Sequence, residues 1–197
     1  SVGSLPSINL DTSFSPSWSS YNLSTQTRRN LQLILQKLTA EPSGIRRERC
    51  LNMYTMARSK VIRTALKPLP LGYLHLMKAG TKLEWMNIEM HIVSWTKDIE
   101  IIVTRVCEAE YHLCSQVFEK ELGYGDLFEE TFSKISSGSG LLELLQFGEA
   151  SVKSRDEPSK LFKLLDMFEA MNNLWPSFTK LFCSHGCRHL QQKTRDL

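Results

Sequence analysis

The stretch from Cys183 to His189 is the part of the sequence that most resembles a metal site. Thiol and imidazole side chains alternate here, and both groups are preferred ligands of zinc. The candidate ligands are Cys183, His185, Cys187 and His189. Residues two apart lie about 200° apart around a continuous helix, so these side chains converge only if Gly186 breaks the helix. The spacing therefore argues against zinc, and we predict no metal site.

Catalytic chemistry has even less support in the sequence. Glu89 and His91 are two residues apart in a helical pattern, which directs them to different sides of the helix. Gly138 and Gly140 lack the preceding strand and the following Lys-Ser or Lys-Thr pair of a P-loop, so they are typical of a connector. We therefore predict that the protein is not an enzyme and has no cofactor.

A basic segment covers residues 46–67 and could meet an anionic partner. Its cationic residues are Arg46, Arg47, Arg49, Arg58, Lys60, Arg63 and Lys67. The segment lacks interleaved exposed aromatic residues and any recognition motif, so we predict no nucleic-acid partner. Residues 1–80 carry 11 Lys and Arg against 3 Asp and Glu, whereas residues 81–170 carry 9 against 17. Attraction between adjacent helical layers is therefore the favoured explanation of the basic segment, with anionic lipid as an alternative.

Apolar residues recur at spacings of three and four along most of the chain, which indicates an all-α fold. Helices are predicted over residues 25–40, 46–67, 81–121, 126–136, 141–153 and 157–188, with Pro176 kinking or ending the last. The helix over residues 81–121 contains no proline or glycine and would extend roughly 60 Å, longer than a compact globule of about 40 Å. We therefore expect an elongated molecule.

One face of this long helix is expected to form the structural core. Its members are Trp85, Ile88, Ile92, Trp95, Ile99, Ile102 and Leu113. On the last helix, an apolar stripe is expected to face the core. Met167 and Leu174 lie outside it, and second-layer packing is the favoured explanation for them, with a partner groove as the alternative. The stripe comprises Leu161, Leu164, Leu165, Phe168, Met171 and Trp175.

Three regions are expected along the chain. Residues 1–24 form a Ser-rich N-terminal arm, residues 25–122 a first helical bundle that includes the long helix 81–121, and residues 123–197 the start of a second bundle. Leu10, Phe14, Trp18 and Tyr21 are expected to hold the arm against the body. Five cysteines, an odd number, favour a reducing cytosol over a secreted disulfide framework.

Several segments resemble the plant-type seventy-kilodalton subunit of the exocyst, the complex that tethers vesicles. The resemblance covers about residues 46–182 and is weaker at Arg49–Tyr54. Its motifs are the spacing of Trp85, Ile92 and Trp95, followed by Glu110–Phe118, Leu145–Ala150 and Lys160–Ala170. Because these motifs keep their order along the chain, the match is specific.

The resemblance implies a non-catalytic scaffold that helps to tether secretory vesicles to the plasma membrane during exocytosis. Family members look like elongated rods of stacked antiparallel helical bundles, of which this chain would supply the first bundles. The implied partners are other exocyst subunits, small GTPases and, in plants, pathogen effector proteins. The implied location is the cytoplasm, with peripheral recruitment to the plasma membrane. In family members this recruitment involves a basic patch near the C-terminal end of the rod, a region that is not in this chain.

Grooves between helices are the expected partner-binding surfaces. The predicted contact residues are Leu142, Leu145, Phe147, Leu164, Met167 and Met171. The alternative hypothesis is a small zinc- or anionic-lipid-binding helical module that acts through the Cys183–His189 tail or the basic helix 46–67.

Overall fold

The structure, a computed structural model, describes residues 23–40, 44–79, 85–118, 124–154, 160–183 and 188–195. These residues contain helices and no strand, so the predicted fold class, an all-α stack of helical bundles, is confirmed. The α-helices are α1 (Thr25–Thr39), α2 (Gly44–Leu66), α3 (Trp85–Ile101), α4 (Glu108–Val117), α5 (Gly125–Ser136), α6 (Leu142–Lys153), α7 (Lys160–Phe182) and α8 (Arg188–Arg195). Apart from Leu23 and Ser24, the predicted N-terminal arm lies outside the described residues.

Helices α3 and α4 are joined by a π-helical turn, Ile102–Cys107, into one long helix over residues 85–117. The flanking residues Ile101 and Glu108 keep right-handed helical dihedral angles, so the π turn shifts the register without ending the helix. At about 1.5 Å per residue the long helix extends roughly 50 Å. All seven apolar residues predicted for the core are buried. The predicted ends, residues 81–84 and 119–121, lie outside the described residues.

The other helices pack around the two halves of the long helix. Helices α1 and α5 contact α4 and α2, whereas α6 and α7 contact α3, and α8 lies against α6 and α7. The ring of Phe132 on α5 stacks on Phe182 of α7 with centroids 5.6 Å apart, so both groups share one apolar core. The division of the chain at residues 122 and 123 stays a prediction, and α5, which follows it, packs on α2 and α4.

A buried ion pair connects basic α2 with acidic α4. The Arg58 Nε donates to Glu110 Oε2 at 3.1 Å, and Arg58 Nη2 donates to Glu110 Oε1. Arg58 is only 5% exposed and Glu110 only 1%. A charged side chain in a helical segment is normally on the solvent side, and Arg58 is buried here because the carboxylate supplies a bidentate partner. This pair provides one of the expected attractions between the basic and acidic parts of the chain.

The predicted Ser-Gly connector is a second π-helical turn, Ser137–Leu141, which packs against the first one. Gly140 has a φ of 90°, a left-handed conformation that L side chains rarely adopt. A Cβ atom on Gly138 would lie 3.3 Å from the Ser59 hydroxyl of α2. The two glycines therefore allow a backbone turn and a close helix approach that larger residues would hinder.

Helix α7 continues through Pro176, so of the two predicted effects of this proline, a kink or an end of the helix, the end does not occur. A proline removes the amide proton that would bond the carbonyl four residues earlier, which belongs to Asn172. Both Asn172 and Pro176 are exposed, so water can bond that carbonyl and the helix can continue. The first predicted residues of this helix, 157–159, lie outside the described residues.

Candidate partner-binding surface on helix α7

Helix α7 carries apolar side chains on two neighbouring faces, and only one of them is packed into the core. The buried face comprises Met167, Leu174, Phe178, Leu181 and Phe182. The other face leaves Leu161, Leu165, Phe168 and Trp175 between 40% and 66% exposed. The stripe expected to face the core is therefore mostly the exposed one, and the residues placed outside it are the buried ones. Leu164 and Met171, at the border of the two faces, are partly buried.

The exposed residues of α7 have the spacing of a coiled-coil interface. Leu161, Leu165, Phe168, Asn172 and Trp175 follow one another at steps of four, three, four and three, and all are exposed. This is the alternation of a and d positions in a heptad repeat, where apolar side chains insert between those of a second helix. A single polar Asn within such a repeat selects the register of the partner. We call these five residues the α7 seam.

All five residues of the α7 seam line one side of a groove of about 620 Å³. Trp95 of α3 lines it, together with Val152 at the end of α6 and Thr194 and Arg195 of α8. The Trp95 Nε1 donates to the Leu144 carbonyl at 2.8 Å, which fixes the indole ring. The groove wall is therefore built from several helices, and it offers a largely apolar surface next to the seam.

Charged side chains hold the helix ends around the groove. Glu149 of α6 accepts hydrogen bonds from Lys153 at 2.5 Å and from Lys193 of α8 at 2.8 Å. These two ammonium groups, Lys153 first, hold the pKa of Glu149 at about 2. The Lys160 Nζ donates to the carbonyls of Val152 and Ser154 at 2.9 and 2.6 Å, which satisfies the C-terminal end of α6. The position of α8 thus depends on an ion pair as well as on packing.

The predicted partner-binding residues do not form one surface. Leu145 and Phe147 are completely buried, and Leu142 is partly buried against the core, so none of these three lines the groove. Leu164, Met167 and Met171 do line it. The structure adds the exposed side chains of the α7 seam, which the sequence interpretation had assigned to the core. The signal that could have found them is the four-three spacing together with the single polar Asn172.

A second cluster of titratable groups has a structural role. The Tyr73 hydroxyl, on the 3-10 helix Leu71–Ala79, donates to Asp98 Oδ2 at 2.9 Å, and the Tyr73 ring stacks on His91 at 5.2 Å. Burial raises the pKa of Asp98, and the bond from Tyr73 opposes this. Because Tyr73 and Asp98 are both buried, these contacts attach the 3-10 helix to α3 and leave the cluster closed to a substrate.

The candidate zinc ligands are only partly described. Cys183 is exposed, His185 and Cys187 lie outside the described residues, and so does the side chain of His189. Within the described ranges, no three His, Cys, Asp or Glu side chains come together as a metal site would require. In the same ranges, no helix is sufficiently long and apolar to cross a bilayer.

Comparison with known proteins identifies the family. Residues 93–197 match the family that comprises the C-terminal part of Exo70, an exocyst complex subunit. "Exocyst complex component EXO70I" of Medicago truncatula is 33% identical over 150 residues, which are 75% of this chain and 21% of the relative. For "Exocyst complex component EXO70A1" of Arabidopsis thaliana the identity is 30% over 151 residues, 76% of this chain and 23% of the relative.

These relatives are much longer than the present sequence. The match to "Exocyst complex component EXO70B1" of Arabidopsis thaliana, 28% identical over 144 residues, covers 73% of this chain and 22% of the relative. The chain thus spans about a fifth of the length of the curated relatives it matches. No solved structure is similar enough to count as a match. The family model covers more than half of the chain and the resemblance seen in its motifs is confirmed, so the chain belongs to the Exo70 family of exocyst complex subunits.

Proposed function

We propose that this chain is a non-catalytic helical scaffold of an exocyst complex, in which it helps to tether secretory vesicles to the plasma membrane during exocytosis. Membership of the Exo70 family supports this role, because the relatives are named as exocyst complex components. The protein then works in the cytoplasm and is recruited peripherally to the plasma membrane. Its principal partners are other exocyst subunits, and small GTPases and pathogen effector proteins are further candidates. The comparisons do not favour the alternative zinc- or lipid-binding module.

The observation that carries the proposal is the α7 seam. Phe168 and Trp175 are large aromatic residues that bury about 150–250 Å² each in a full contact, and Leu161 and Leu165 add further apolar surface. At the observed exposures the four side chains present roughly 400–500 Å². That area is similar to the largest apolar patch of a typical monomer, which is often functional. A partner helix is the element that the heptad spacing fits.

Such a contact has enough energy to hold a complex together. Covering about 450 Å² of apolar surface contributes roughly 11 kcal/mol at 25 cal/mol per Å². Lost translational and rotational freedom costs at least about 4 kcal/mol, and ordering of the side chains costs more. At most about 7 kcal/mol remains, which corresponds to an affinity no tighter than about 10 μM. The scaffold changes no covalent bond, and its contribution is to hold partners at fixed positions along a stiff helical body.

The proposal is tested by binding of the purified chain to individually purified exocyst subunits, measured by calorimetry. Phe168→Asp places a charge in the middle of the α7 seam and should weaken binding to the subunit that docks there by about thirtyfold or more. Met90→Asp is the matched control, since Met90 is 65% exposed on α3 and Phe168 is 66% exposed on α7. Circular dichroism must show both variants folded.

Two results would count against the proposal in different ways. If no exocyst subunit binds the unmodified chain, the scaffold function is wrong. If a subunit binds and Phe168→Asp leaves its affinity unchanged, the scaffold function stands but the α7 seam is not the contact. Met167 and Phe147 are unsuitable for this test, because both are buried and a charge there would disturb folding.

A further inference from the structure

The outward face of helix α2 combines exposed apolar side chains with exposed cations. Ile45, Met53 and Met56 are between 64% and 76% exposed. Arg49, Lys60 and Arg63 are exposed as well. At 100° per residue all six lie within about 80° of the helix circumference. We call this set the α2 ridge. It belongs to the half of the molecule around α4, whereas the α7 seam belongs to the half around α3.

The charge of the α2 ridge is of one sign. Glu48 is the only acidic residue of α2, and it lines a groove toward α5 beside Leu127 and Glu130. Arg49, Lys60 and Arg63 form no ion pair with any residue in the described part of the chain, in contrast to the buried Arg58. The ridge therefore presents three cations that no direct ion pair in the described part of the chain neutralises, and Arg63 shares a groove with the carboxylate of Glu143.

We propose that the α2 ridge is a docking site for an acidic amphipathic helix of a partner protein. Charge complementarity identifies the occupant: carboxylates of the partner pair with Arg49, Lys60 and Arg63, and its apolar face covers Ile45, Met53 and Met56. The residues from Ile45 to Arg63 extend about 27 Å along the axis, which matches a partner helix of about 18 residues. Methionine side chains adapt to different apolar neighbours and are common on helix-binding surfaces.

An acidic helix fits the α2 ridge better than a membrane surface does. Helices that lie in a bilayer interface insert Trp, Phe or Leu on one face and place Lys and Arg on the opposite, polar face. On the α2 ridge, cations and apolar side chains share one narrow stripe, and none of its residues is aromatic or Leu. A cation on this stripe would be forced toward the hydrocarbon region if Met53 and Met56 inserted.

The test uses a fluorescein-labelled synthetic helix of about 18 residues composed only of Glu, Leu and Ala, with its Leu residues on one face. Fluorescence anisotropy measures its binding to the full chain. We expect Lys60→Glu with Arg63→Glu to weaken binding at least tenfold, and Met53→Ser with Met56→Ser several-fold.

The matched controls are Arg29→Glu with Lys37→Glu on α1, and Met86→Ser with Met90→Ser on α3. These four residues are exposed outside the α2 ridge, and we expect affinities within twofold of the unmodified chain.

Three outcomes would overturn the proposal. The first is equal binding of a peptide with the same composition but scrambled Leu positions, since attraction would then be purely electrostatic. The second is that the amphipathic peptide does not bind the chain, or that it binds and none of the α2 substitutions weakens its binding. The third is that the chain binds vesicles with about 30% phosphatidylserine but does not bind the peptide. If that vesicle binding requires Lys60 and Arg63, the α2 ridge is a membrane contact instead.

Discussion

Removing one member of the buried Arg58–Glu110 pair should destabilise the fold much more than removing both members. Glu110→Leu leaves the Arg58 guanidinium, 5% exposed, without its carboxylate, and a guanidinium cannot lose its proton in a protein. Breaking a buried pair in this way costs about 3–5 kcal/mol. The double variant Arg58→Met with Glu110→Leu removes both charges and keeps apolar volume, so its stability should lie within about 1 kcal/mol of the unmodified chain.

The third variant, Arg58→Met, adds a dependence on pH. Burial raises the pKa of Glu110 and the bonds to Arg58 lower it, so in this variant only the effect of burial remains. A carboxyl group whose pKa is raised in the folded state destabilises the fold when it is ionised. The stability lost in Arg58→Met should therefore be largest at neutral pH and should recover as the pH falls through the folded-state pKa of Glu110.

Urea unfolding followed by circular dichroism at 222 nm measures all four stabilities in a double-mutant cycle. For a chain of this length, a loss of about 3–5 kcal/mol also lowers Tm by roughly 6–20 °C. Glu108→Gln is the control, because Glu108 contacts Lys180 at 3.9 Å on the surface and its loss should cost less than about 1 kcal/mol. A double variant whose destabilisation equals the sum of the two single ones would refute this account of the pair.

Four further substitutions test three other parts of the structure by urea unfolding. Met167→Ala should lower the free energy of unfolding by about 2–5 kcal/mol, because Met167 is buried. Its neighbour Phe168→Ala should lower it by less than about 0.5 kcal/mol, because Phe168 is exposed. The reverse order would mean that the α7 seam, and not the opposite face, packs into the core. Gly140→Ala should cost about 1–2 kcal/mol because its φ is 90°, and a neutral effect would contradict that conformation. Glu149→Gln should cost about 1 kcal/mol at pH 7 after allowance for its partial exposure. The difference should disappear as the pH falls from about 4.5 toward 2, the folded-state pKa, and a difference that persists at low pH would exclude the two lysines as its cause.

The long helix was the most predictable element, and its sequence explains why. From Trp85 to Val117 there is no proline or glycine, and the apolar residues keep one three-four spacing throughout. Trp95, Ile99 and Ile102 are completely buried as the pattern requires. The π turn at Ile102–Cys107 was not predictable from this spacing, because the apolar residues keep the same steps of three and four through the turn.

The burial of Arg58 shows a different limit of sequence reasoning. A helical pattern assigns charged residues to the solvent side, since isolated charges are costly to bury. Arg58 is buried because Glu110, fifty-two residues later in the sequence, occupies the matching position on α4. Such a pair depends on how two distant helices cross, and the period of either helix alone does not contain that information.

Helix α7 shows why the candidate site could be found only after folding. Apart from Phe162, its large apolar residues cover about 200° of the circumference, from Leu181 around to Leu165, so periodicity alone could not decide which part faces the core. Neighbouring helices made that choice. Helix α7 packs on α3 and the first π turn, and Met167 and Leu174 are buried. Leu164 and Met171 line the groove and are only partly buried. Helices that are apolar over so wide an arc normally pack on two sides. The α7 seam is what remains after one side is filled, and under the proposed function a partner helix fills the second.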